Sequence, residues 1–130
     1  MSQEVVTREA GNNIAQPVTV PASGNTRLAD LDVAAFEQLT IQIVVATQAL
    51  DGFRVSVRPK GGVAYTLMYS ASGDYTSPAG LVVDASGDLT ALAAGSSGIL
   101  VLDVSGLDSV RLEASAALDS ASVTVIASGR

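Results

Sequence analysis

Residues 103–130, DVSGLDSVRLEASAALDSASVTVIASGR, carry a two-residue hydrophobic period on both sides of a small-residue break. Val110, Leu112 and Ala114 share one face of an extended segment, and Val123, Val125 and Ala127 share one face of a second. Ser109, Arg111, Glu113, Ser122 and Thr124 take the alternate positions, so each segment offers one face to a core and the other to water or a partner. The pattern predicts a half-buried antiparallel hairpin closing an all-β chain.

The same grammar extends upstream. Leu39, Ile41, Ile43 and Val45 alternate with Thr40, Gln42 and Val44, and Phe53, Val55 and Val57 alternate with Arg54, Ser56 and Arg58. Asp51-Gly52 between these runs reads as the turn of a second hairpin. Pro59 ends the run, Gly61-Gly62 makes the next turn, and Val63, Tyr65, Leu67 and Tyr69 form a third strand. On that strand Tyr65 and Tyr69 share a face with Leu67, a pattern of core packing more than of a sugar platform. Residues 28–36 fit either one helical turn or a loop with a strand, from the spacing of Leu28, Leu31, Val33 and Phe36. Residues 70–98 are rich in turn signals (SGD, SPAG, DASGD, AGSSG) around short apolar runs at 81–83 and 89–92, and are expected to project from one end of the domain. A final run starts at residue 99. Seven or eight short strands result, the pattern of an antiparallel β-sandwich or jelly roll.

Residues 1–27 differ from the rest: they are polar and turn-rich, with Gly11, Asn12, Asn13, Pro17, Pro21 and Gly24. Prolines at 17 and 21 bar a central-strand role. The division expected is an N-terminal arm over 1–27, leading into an edge strand, and a β-sandwich domain over 28–130. A chain of 130 residues is long enough to bury one core unaided.

Composition excludes more than it identifies. There is no cysteine and no histidine, which removes disulfides, thiolate sites and the commonest general base and metal ligand together. A serine nucleophile would have only Lys60 as a side-chain amine to activate it, and no serine sits in a G-x-S-x-G context. Asp74, Asp84 and Asp88 could suggest paired carboxylates, but only two phenylalanines and three tyrosines are present to build a glycan cleft. DASGD lacks the alternating oxygen ligands and closing glutamate of a calcium loop, and Gly61-Gly62 opens no helix that could cradle a phosphate. No enzymatic activity, cofactor or metal is expected.

The formal net charge is −6, and the seven basic residues, Arg8, Arg27, Arg54, Arg58, Lys60, Arg111 and Arg130, read as scattered, with only 54, 58 and 60 local. No nucleic-acid partner is expected. Charged residues make up only 15% of the chain and apolar ones 48%. Yet no apolar stretch approaches the roughly 20 residues of a membrane helix, and the opening MSQEVVTREAGNN has no signal-peptide pattern. Neither a membrane partner nor secretion is expected. The apolar excess points instead to a protein interface.

The segments IQIVV, FRVSVRPKGGVAYTL, ILVLDVSGLDSVRLEAS and ASVTVIAS together resemble the β-sandwich proteins of tailed-bacteriophage virions, over about two thirds of the chain. Among these the chain is most similar to capsid decoration, or cement, proteins, because it lacks the exposed aromatics and the D-G-x-x-W phrase of tail-type versions. The resemblance implies a structural protein on the outer capsid surface that binds the major capsid protein at capsomer junctions and associates with itself, a homotrimer being favoured at threefold positions. Partner contacts are expected from Val5, Val6, Arg8 and Ile14 on the arm and from Arg27, Arg54, Arg58 and Lys60. The alternatives are a carbohydrate-binding or adhesin-type module of a tail or fibre, and a secreted bacterial β-sandwich domain.

Overall fold

The computed structural model describes residues 4–5, 16–22, 24–70, 82–86 and 94–130, and the side chains of 16–22, 24–66 and 94–130. Among these residues there is no helix. Ten strands run in order: β1 (Glu4–Val5), β2 (Val18–Pro21), β3 (Thr26–Asp32), β4 (Gln38–Ala46), β5 (Leu50–Pro59), β6 (Thr66–Ser70), β7 (Val82–Ser86), β8 (Ser97–Asp103), β9 (Leu107–Ala116) and β10 (Ser120–Gly129). They form two antiparallel sheets. The larger has the order β1-β10-β4-β8-β7 with β2 also paired to β10, and the smaller has the order β3-β9-β5-β6. The all-β sandwich expected from alternation is the observed fold.

Alternation explains the layering. Leu39, Ile41, Ile43 and Val45 of β4, Leu100 and Leu102 of β8, and Val123, Val125 and Ala127 of β10 point inward from the larger sheet. Opposite them lie Phe53, Val55 and Val57 of β5, Val110, Leu112, Ala114 and Ala116 of β9, and Ala29 and Leu31 of β3. Each fully buried aliphatic or aromatic side chain contributes about 1.5–3 kcal/mol relative to exposure. Phe53 is the largest of them.

Neither expected hairpin forms. β4 and β5 belong to different sheets, and so do β9 and β10. Each pair is joined by an arch that crosses the core, so the two apolar faces meet across the sandwich rather than side by side. Thr47 (φ 72°) and Asp119 (φ 53°) provide the left-handed residues that reverse the chain. The two arches lean on each other, the Ala117 N–H donating to Ala49 O at 2.9 Å, and the connection after β2 joins them, the Ala22 N–H donating to Asp119 O at 2.9 Å. Asp51 and Gly52 lie inside β5, where the register with β9 slips between Leu50 and Gly52. The pair makes a bulge, not a turn.

Residues 28–32 are strand, one of the two readings their spacing allows, and the register of β3 on β9 shifts between Arg27 and Ala29. That irregularity buries Leu28 and Ala29 in succession and so mimics a helical spacing. The third strand begins at Thr66, not at Val63, which is 98% exposed. The Gly62 N–H donates to Pro59 O at 2.8 Å and holds the preceding residues in the turn. β5 and β6 then form a true hairpin, with Val57 opposite Thr66 and Arg54 opposite Ser70.

At the N-terminus, β2 pairs with β10 alone, the edge position that its flanking prolines dictate. β1 joins the same edge, with Glu4 opposite Gly129 and Val5 opposite Ser128. In the 70–98 region, Asp84 and Ser86 of the DASGD phrase belong to β7, which pairs with β8. The run at 89–92 lies outside the described residues.

Candidate functional site

On the outer face of the smaller sheet, register places side chains from three strands in three rows. Arg27 of β3, Glu113 of β9 and Arg54 of β5 align, then Asp30, Arg111 and Ser56, then Asp32, Ser109 and Arg58. Each β9 and β5 member of these rows alternates with a core residue, as Arg111 does between Val110 and Leu112. The basic residues that look scattered in sequence are therefore gathered. Arg27, Arg54, Arg58 and Arg111 share this face, and Lys60 sits at its rim, its backbone N–H donating to Gly106 O at 3.0 Å.

Asp30 organises the centre. Arg111 donates from Nε to Asp30 Oδ1 at 2.8 Å and from its Nη2 to Oδ2 at 3.1 Å, a two-pronged pairing of guanidinium and carboxylate. Arg27 adds a third donor, its Nη1 lying 3.0 Å from Asp30 Oδ2. Hydrogen bonding to Asp30 holds Arg111 above the ordinary arginine value, against an opposing effect of burial. Arg58 Nη2 reaches Asp108 Oδ2 at 3.4 Å.

Tyr65 closes one side of the cluster. The Arg111 Cζ lies 4.0 Å and the Arg58 Cζ 5.3 Å from its ring centroid, and its hydroxyl is 2.6 Å from the Oγ of buried Ser109. Such cation–π contacts contribute about 0.5–1 kcal/mol each at exposed sites. Tyr65 thus packs against the outward side chains instead of entering the core as its alternation predicts. The side chain of Tyr69 lies outside the described residues.

Of the expected partner-binding residues, the fold brings Arg27, Arg54 and Arg58 together and leaves Lys60 exposed beside them. Val5 is placed by its backbone pairing in β1. Val6, Arg8 and Ile14 lie outside the described residues. Asp30, Tyr65 and Arg111 were not singled out in sequence as partner contacts. The only signal for Arg111 is that it alternates outward like Arg54 and Arg58, and its position beside them depends on pairing distant in the chain. Among the described residues no group of three or more Asp or Glu side chains could hold a metal ion.

The outer face of the larger sheet is built differently. The outward positions of β4 are Gln38, Thr40, Gln42, Val44 and Ala46, and those of β10 are Ser120, Ser122, Thr124, Ile126 and Ser128, with no charge among them. On β8 they are Ser97, Ile99, Val101 and, at the end, Asp103. Ile126, Gln42 and Ile99 align across the three strands, and the two isoleucines are 44% and 40% exposed.

No family model matches the chain, and no curated protein matches it. Among solved structures it is similar to the SPBc2 prophage-derived protein YomS, with a TM-score of 0.51 and 14% identity over 98% of this chain and 92% of that one. At that identity the likeness shows a shared fold. A second similarity is to a chain in the structure of infectious bursal disease virus, Gx strain, with a TM-score of 0.43 and 16% identity over 97% of this chain and 31% of that one.

Proposed function

We propose that the chain is a non-enzymatic virion structural protein that decorates a phage capsid, binding the major capsid protein and neighbouring copies of itself on the outer surface. The observation that carries the reading is the outward face of the larger sheet. Across β4 and β10 it is broad and bare of charge, in a chain whose net charge is −6. A protomer held permanently against neighbours can keep such a face, whereas a free acidic monomer gains solubility by charging it.

The topology adds support at the level of fold. With β1 and β7 set aside, the orders β2-β10-β4-β8 and β3-β9-β5-β6 support reading the sandwich as an eight-stranded jelly roll, an architecture of viral capsid and lectin domains. YomS, of prophage origin, shares the sandwich, and fold similarity alone does not carry function. The sequence resemblance to virion sandwiches supplies the phage setting. A glycan-binding fibre module would need an open aromatic platform, and Tyr65 instead has two guanidinium groups against its ring.

Expanded heads lacking the protein, sedimented with the purified chain and imaged by negative stain, test the proposal. Saturable coating and a higher temperature of DNA release are the expected results, since each copy that binds only the assembled shell shifts the equilibrium toward it. Heads that stay bare, combined with binding of the chain to host-cell glycans, would replace capsid decoration with the fibre reading.

A further inference from the structure

The outer face of the larger sheet reads alike on both sides of its middle strand. β4 lies between β10 and β8, and at its centre the row Ile126, Gln42, Ile99 sets an isoleucine on either side of a glutamine. One row away, Thr124 and Ser97 place a hydroxyl on each side of Val44. Four residues from Gln42 along β4 the row becomes charged, with opposite signs on its two sides. Arg130 lies beside Gln38, its N–H donating to Gln38 O at 3.0 Å, and Asp103 lies opposite Gln38 on β8. Both charged residues are exposed, and Asp103 Oδ1 accepts the Ser105 N–H at 3.0 Å, which holds the carboxylate at the rim. Gln42 itself is half-buried, and its amide makes no hydrogen bond among the described residues.

We infer that this face docks a second copy of the chain, sheet against sheet, about a two-fold axis that runs along β4 and passes through Gln42. Such an interface brings the same patch together from both copies, so the patch must complement itself. The axis sets Ile126 of one copy on Ile99 of the other, twice, and Gln42 on Gln42. Each glutamine amide offers donors and an acceptor, so the pair can exchange two N–H···O=C bonds and meet its own burial cost. The charged row fixes the direction of the axis. Along β4 it faces Arg130 with Asp103 of the second copy, and again in reverse, whereas an axis across the strands would lay that row on neutral Ala46 and Ser122. Opposite charges at a rim set register and exclude wrong partners. Strands about 4.8 Å apart and nine residues of about 3.4 Å give β10, β4 and β8 a footprint of about 400 Å², which β2 and β7 widen. With side-chain relief that approaches the roughly 600–1,000 Å² each partner buries in a stable complex. The pairing stands on register; that copies gather on a shell rests on the proposed structural role.

Sedimentation of the full chain tests the axis. The unaltered protein should sediment at twice the chain mass. Gln42→Glu and Gln42→Lys each set like charges against one another on the axis and should raise the dissociation constant by about a hundredfold or more. Mixed in equal amounts, the two variants should recover the double mass, because a residue on a two-fold axis meets its own counterpart. Ile126→Lys and Ile99→Glu repeat the test beside the axis: each alone should dissociate and the mixture should recover. Circular dichroism should show all four variants folded, since the substituted side chains face outward. A monomer up to about 1 mM, a trimer, variants that associate like the unaltered chain, or variants that dissociate without recovery on mixing each overturn the inference. Head binding separates the two proposals. A dimer that leaves heads bare removes the capsid reading and keeps the interface, whereas heads coated by a chain that stays monomeric, with undiminished coating by the Gln42→Glu variant, remove the interface and keep the capsid reading.

Discussion

Three aligned rows on the smaller sheet read Arg27, Glu113, Arg54; Asp30, Arg111, Ser56; and Asp32, Ser109, Arg58. Three rows across β10, β4 and β8 of the larger sheet read Thr124, Val44, Ser97; Ile126, Gln42, Ile99; and Ser128, Thr40, Val101. The inward positions are apolar on both sheets, chiefly valine, leucine, isoleucine and alanine, with Phe53 on the smaller sheet and Gly98 opposite Ile43 on the larger. The difference therefore carries little folding information; it separates two kinds of surface. Charges placed mid-sheet need partners, and the smaller sheet supplies them through Asp30, Asp108 and the ring of Tyr65. The uncharged face needs no such network, and its isoleucines can meet another protein surface at little desolvation cost, provided Gln42 finds a hydrogen-bond partner there.

The most disruptive change tests whether the two faces are sides of one cooperative unit. Phe53→Ala removes the largest buried side chain from between the sheets and should cost about 3–5 kcal/mol. Hydrogen exchange of β9 and β10 amides should then speed up together, with a single urea transition by circular dichroism. Protection lost in β9 but kept in β10 would mean that the sheets unfold separately, and the contrast would be between two units rather than two faces.

Alternation shows which residues are inward and leaves open which strand is the neighbour. A hairpin and an arch both bury Val110, Leu112 and Ala114 with Val123, Val125 and Ala127, so the pattern at residues 110–127 is equally consistent with either. The Asp51-Gly52 signal misleads for a related reason: the chain turns earlier, at Thr47, a β-branched residue seldom found at positive φ, while the DG pair is taken up as a bulge. At the site, Arg54 and Arg58 are legible because they lie on one strand. Asp30 and Arg111 are separated by 81 residues and Tyr65 and Ser109 by 44, and only the order β3-β9-β5-β6 brings them into contact.

A change of intermediate size probes the charged face alone. Asp30 is mostly buried and accepts from both Arg27 and Arg111. Asp30→Ala leaves the Arg111 guanidinium without its carboxylate and should lower stability by about 1–3 kcal/mol, seen as a lower urea midpoint at unchanged slope. Most of that loss belongs to Arg111, since Arg27 has a side chain 51% exposed and its pair is screened by water. Gln42→Ala, at the middle of the other face, should shift the midpoint by about 0.5 kcal/mol or less. Equal costs at the two positions would erase the energetic distinction between the faces.

The smallest expected effect on stability is also the one that bears most on how the faces are used. Ile126 is 44% exposed and aligned with Gln42, so a lysine there meets water rather than the core. Ile126→Lys should change the free energy of unfolding by about 0.5 kcal/mol or less. A charge buried against a neutral partner surface, by contrast, is strongly disfavoured. If the larger sheet is where copies of the chain meet, the variant should sediment as a monomer at concentrations where the unaltered protein is oligomeric. Arg54→Gln on the opposite face should leave the sedimenting mass unchanged. Loss of association on Arg54→Gln together with normal association of the Ile126→Lys variant would exchange the roles of the two faces and make the charged network the contact between copies.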